Sequence, residues 1–111
     1  MLDKYSYRVT WSEDDSEFVG LCAEFPSLSW LSKSQNGAFK GIRKLVAEVL
    51  KDMAQQKEAL PEAIATKHFS GKFVVRVPPE LHRELTLEAK AAGVSLNRYV
   101  SLKLARIQQG V

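Results

Sequence analysis

At 111 residues the chain is long enough for one ordinary domain or two small ones. A single cysteine, Cys22, excludes an intrachain disulfide, and no stretch approaches the roughly 20 apolar residues of a membrane helix. The net charge of +3 is unevenly spread: residues 1–60 carry 8 Lys+Arg and 9 Asp+Glu (net −1), whereas residues 61–111 carry 8 and 4 (net +4), so only the second half is expected to meet a polyanion.

In chain order, the opening MLDKYSYR lacks an apolar run, and a cytoplasmic location is expected. Residues 4–11, KYSYRVTW, alternate and are rich in β-formers; residues 18–25, FVGLCAEF, form a second apolar run ended by Pro26. The polar SEDDSE between them makes the pair a hairpin with Glu13, Asp14, Asp15 and Glu17 at its tip. Residues 27–32, SLSWLS, are expected to add a third strand, with Leu28, Trp30 or Leu31 turned inward.

From Ser34, a suitable N-cap, the period becomes helical. Ala38, Phe39, Ile42, Leu45, Val46, Val49, Leu50 and Met53 form the apolar set, and Lys40, Arg43, Lys44, Lys51 and Asp52 take the other side. The expected first domain, residues 1–56, is an antiparallel sheet covered by one helix. Residues 57–70, KEALPEAIATKHFS, lose periodicity and are expected to be a linker.

Residues 71–111 change character again. Phe73, Val75 and Val77 alternate with Lys72, Val74 and Arg76, predicting a strand with one apolar and one open face. Pro78 and Pro79 end it, since neither can donate to a ladder, and proline suits a first helical turn. A helix from about Glu80 to Ala92 carries Leu81, Leu85, Ala89 and Ala92 as a stripe. Gly93 supplies the stop. Ser95 caps a second helix, about Leu96 to Gln109, with Leu96, Tyr99, Val100, Leu104, Ile107 and the Lys103 stem on its apolar side. Leu87 and Leu102 fall off these stripes and are candidates for contact between subunits. This order, strand–Pro–helix–Gly turn–helix, matches a ribbon-helix-helix module. There the strand pairs with that of a second copy and the ribbon enters a major groove, where Lys and Arg can donate to guanine. The helix start at Ser95 and Asn97 suits a phosphate.

No chemistry-bearing motif competes with this reading. The acidic hairpin tip fits a solvated or partner-facing patch better than a Mg²⁺ or acid–base site. His68 and His82 lack ligands at metal spacing and are expected at the surface. Cys22 is expected to be a buried small hydrophobe, and Trp11 and Trp30 to pack on the sheet. Neither an enzyme activity nor a cofactor is expected.

Taken together, the two halves resemble the HicB family of type II antitoxins, in the subgroup ending in a ribbon-helix-helix. The more specific part is FSGKFVVRVPPELHRELTLEAKAAGVSLNRYVSLKLA, Phe69 to Ala105. Its strand KFVVRVP also resembles the Arc and MetJ repressors. The first half is similar to that family's small, degenerate RNase H-like domain, with a strand, acidic hairpin, strand ending EFP, short strand and helix. Two departures are Ser29-Trp30 after Leu28, where a glycine is common, and the Lys- and Gln-containing helix start SKSQNGAFKGI. The resemblance implies base-facing Lys72, Val74 and Arg76 and phosphate contacts from Ser95 and Asn97. It also implies a homodimer through residues 71–111, with pairing of dimers into tetramers left open. The implied partners are a HicA-type RNA-cleaving toxin, covered by the first half with Glu13, Asp14, Asp15 and Glu17 as contacts, and operator DNA. The alternative is a stand-alone regulator with a sensing first half and no toxin.

Overall fold

The computed structural model describes residues 1–109, and side chains through Arg106. Ile107 on the second helix's stripe, and the last two residues of the 71–111 segment, lie outside what is described at that level. The chain divides into two compact units, Met1–Ser70 and Gly71–Val111.

In the first unit a short 3-10 helix, Leu2–Lys4, precedes a three-stranded antiparallel sheet of β1 (Tyr7–Ser12), β2 (Glu17–Cys22) and β3 (Ser29–Ser32), in that order. Tyr7 lies opposite Cys22, Trp11 opposite Phe18, and Gly20 opposite Trp30. The hairpin turns through Ser16, whose N–H donates to the Glu13 carbonyl (3.3 Å) and whose φ is 51°. The sheet therefore starts three residues later than the alternation predicts, because Leu2–Lys4 curl into a helical turn, and β2 ends at Cys22 rather than at Phe25.

Helix α1, Gln35–Gln55, crosses the sheet. Its start is set as expected: the Ser34 hydroxyl accepts from the Gly37 N–H at 3.0 Å. Close contact is possible because of two glycines. A Cβ on Gly20 would stand 2.4 Å from the Ala38 carbonyl oxygen, and one on Gly41 would stand 2.0 Å from Cδ1 of Trp30. Ala38, Ile42 and Val46 are wholly buried, and Tyr5, Cys22, Phe25 and Ala63 complete the core around Ile42 and Val46. The helix stops without glycine. Lys57 takes the left-handed conformation (φ 59°), its N–H donates to the Ala54 carbonyl, and that of Glu58 to the Met53 carbonyl.

The expected linker is not all linker. Its middle lies on the first unit, where Ala63 is only 3% exposed. The tyrosine hydroxyl of Tyr5 donates to the Pro61 carbonyl at 2.7 Å, and the Ile64 N–H donates to the Glu24 carboxylate at 2.9 Å. Aperiodic sequence concealed this because one small residue and backbone groups make the contacts.

The second unit holds α2 (Pro79–Ala92) and α3 (Leu96–Gln109). Pro79 opens α2, and Gly93 (φ 71°) closes it, with its N–H on the Lys90 carbonyl and that of Val94 on the Ala89 carbonyl. Ser95 Oγ accepts from the Arg98 N–H at 3.1 Å and caps α3. The Tyr99 hydroxyl donates to Glu88 at 2.8 Å and ties the helices together. Residues 72–78 form no ladder, although the sequence predicts a strand there. The physical reason is simple: a strand needs a hydrogen-bonding neighbour, and within this unit there is no other strand among the described residues.

Candidate nucleic-acid and partner surfaces

The second unit lacks a core of its own. Among its described residues only Ala89 is buried. Phe73 is 75% exposed and Val75 63%, and Leu87, Leu102 and Leu104 are also exposed. An open groove of about 820 Å³ runs between the 71–77 segment and the two helices. Its apolar lining comes from Phe73, Val75, Val77, Leu85, Leu96, Val100 and Leu104. All seven belong to the larger set that strand alternation and helical spacing assign to the interior. The sequence placed them on one face; the fold of one chain leaves that face uncovered. Leu87 and Leu102, set apart by their spacing, are likewise in the open.

The five proposed DNA-facing residues fall into three groups. Val74 is 91% exposed and stands outside the groove. Lys72 and Arg76 are exposed but also edge the groove, together with Asn97. Without a ladder to enforce the pleat, the two faces of residues 72–77 are not separated as the alternation predicts. Ser95 is committed to the helix cap, which holds the start of α3 and Asn97 in place.

On the first unit, the acidic residues do gather at the hairpin, but most have local partners. Trp11 Nε1 donates to Glu13 at 2.6 Å, Ser12 Oγ donates to Asp15 at 2.7 Å, and Lys33 Nζ lies 3.5 Å from Glu17. Asp14 is exposed at the turn. The Trp11 ring also packs edge-on against Phe18 at 5.1 Å, and half of its surface remains open. Among the described residues, no group of three or more His, Cys, Asp or Glu side chains is placed to hold a metal ion. His68 and His82 are exposed.

Two groups escaped the sequence reading. Glu24 is a hub: its carboxylate accepts from the Ser6 N–H (2.9 Å), the Ser6 hydroxyl (3.3 Å), the Ile64 N–H (2.9 Å) and the Cys22 thiol (3.6 Å). Partial burial pushes its pKa up, but the backbone N–H groups of Ser6 and Ile64 outweigh that and hold it below the usual glutamate value. Arg43, assigned to the polar side of α1, instead pairs with Asp3 (2.5 Å) and lies over the rings of Tyr7 and Phe39 at 5.4 and 5.7 Å. Burial, then the nearby Cys22, push the Tyr7 phenol up to about 12. Its hydroxyl donates to the Leu2 carbonyl at 2.8 Å. Burial also raises the Cys22 thiol, so Cys22 packs as a protonated hydrophobe. Neither Glu24 nor Arg43 has a local sequence signal, because their partners lie up to 40 residues away.

The fold and surfaces define a small α+β chain with an amphipathic, uncovered helix pair. Residues 56–104, rather less than half of the chain, match the model of the HicB family. The match supports membership of that family and a toxin–antitoxin context. Neither the curated proteins nor the solved structures offer a match. No described helix is long and apolar enough to cross a membrane.

Proposed function

We propose that this chain is the antitoxin of a type II toxin–antitoxin pair and the repressor of its own operon. The observation that carries the proposal is the unit of residues 71–109: a basic-edged segment without a ladder, beside a groove lined by apolar residues that the unit leaves uncovered. A second copy supplies both missing parts. Its 72–77 segment pairs antiparallel with the first, and its helices fill the groove, giving a ribbon-helix-helix dimer. The ribbon then presents Lys72, Val74 and Arg76 to a DNA major groove, and the helix start at Ser95 and Asn97 meets a phosphate.

The first unit, in this reading an RNase H-like fold without its nuclease chemistry, covers a HicA-type RNA-cleaving toxin by steric block. An RNA-binding toxin is expected to be basic, and Asp14 with the neighbouring Glu13, Asp15 and Glu17 offers a complementary field. The chain itself does not cleave RNA and works in the cytoplasm without a cofactor. The HicB match supports this reading over that of a stand-alone regulator.

Sedimentation velocity at micromolar concentration and co-purification with the product of the adjacent gene test it. A dimer or tetramer that retains the small basic partner is expected. A monomer that ignores the partner would overturn the reading.

A further inference from the structure

We propose that residues 58–67 form a releasable latch, keyed by Glu24, that sets the length of the connection leaving the first unit. The segment is neither a free tether nor a regular element. It is held at three points, all within residues 61–64. The Pro61 carbonyl accepts from Tyr5, Ala63 fills a place in the core, and the Ile64 N–H donates to Glu24. A turn of its own follows: the N–H groups of Thr66 and Lys67 both donate to the Ala63 carbonyl, at 3.1 and 2.9 Å.

The balance between these contacts favours a latch over a permanent part of the core. Only Ala63 is fully buried in the segment, while Leu60 and Ile64 keep 38% and 45% of their surface exposed, so its apolar contribution is modest. Its docking draws in addition on hydrogen bonds to Tyr5 and Glu24, each worth little alone. Glu24 also accepts from Ser6 and Cys22, neither of which belongs to the segment, so the receiving site should survive release. Low-stability segments of this kind open locally without global unfolding.

The consequence is geometric. When docked, the connection departs after Lys67. When released, it departs after Lys57, where the helix stop is fixed by the α1 carbonyls rather than by the segment. Residues 58–67 then add up to about 35 Å of reach at full extension. Reach governs how two binding units on one chain engage their targets together. The latch stands on the docked segment alone; its consequence for target engagement rests on the proposed function.

Hydrogen exchange and small-angle scattering on the full chain test it, with Glu24→Ala and Ala63→Asp attacking the latch from opposite sides. In the native protein the amides of Ile64, Thr66 and Lys67 should be protected. In both variants they should exchange at least about tenfold faster while β1, β2 and α1 amides stay protected. Tryptic cleavage after Lys57 and Lys67 should accelerate, and the maximum dimension should rise. Unprotected amides in the native protein would overturn the proposal, as would sheet amides loosening in step with the segment. An unchanged maximum dimension after release would overturn the claim about reach.

Discussion

Arg76 and Glu24 show how differently two charged residues can be placed. Arg76 is exposed on a segment that forms no ladder. If it reads guanine, Arg76→Ala should cost about 1–3 kcal/mol in operator binding and relax preference at one base position. Competition binding with single-base operator variants measures both, and unaltered affinity and preference would remove the strand as the reader. Glu24, in contrast, is held by the fold. Its folded pKa is depressed below the ordinary 4.5, so its contribution to stability is fully present above that value. The contribution should fade as pH falls through the folded pKa. Denaturant melts between pH 6 and about 3 should therefore show a steeper acid loss for the native protein than for Glu24→Gln, since the unfolded chain binds the extra proton. Parallel profiles would contradict the hub assignment. The two close glycines give a further contrast. A Cβ at Gly20 meets helix backbone at 2.4 Å, so Gly20→Ala should destabilise by about 1–3 kcal/mol. The atoms nearest a Cβ on Gly41 belong to the Trp30 side chain, itself 40% exposed and able to swing away, so Gly41→Ala should cost less. Urea unfolding ranks them.

Element boundaries were legible where one residue decides them. Ser34, Gly93 and Ser95 each act through a bond to the adjacent turn, so the helices α1, α2 and α3 could be placed from sequence. Lys57 could not be found in that way, because a lysine carries no signal for a left-handed stop. Lys57→Gly should relieve its positive φ and raise stability by roughly 0.5–1 kcal/mol, less the entropy that glycine adds to the unfolded chain. No change in melting temperature would mean that the solvated stop frays in solution. The 58–67 segment was hidden for another reason. Tyr5 and Pro61, 56 residues apart, meet only after the sheet and α1 have formed. Residues 72–77 carry the side-chain pattern of a strand, but they form no ladder within one chain. Pattern and partner are separate requirements, and sequence displays the first alone.

At the scale of the whole molecule, the two units differ in self-sufficiency. The first closes its own core around Ile42 and Val46. The second buries Ala89 and leaves Phe73, Val75, Leu87, Leu102 and Leu104 open. In the proposed function a second copy completes this apolar surface on a basic module, and the completion would form the DNA-reading ribbon at the same time. Placing a charge inside that interface separates assembly from base reading: Val75→Asp should yield monomers and abolish specific DNA binding, while leaving the first unit folded and able to hold its partner. Sedimentation, operator binding, circular dichroism and partner co-purification check those four outcomes, and a dimer that survives Val75→Asp would place the interface elsewhere.

The most direct measurement is binding of the purified full chain to DNA from its own promoter, at fixed salt, with and without the product of the adjacent gene. Salt must be fixed because phosphate contacts make affinity fall steeply with ionic strength. The account predicts specific retention over random DNA and an affinity that shifts when the partner is added. Retention no better than on random DNA would contradict it.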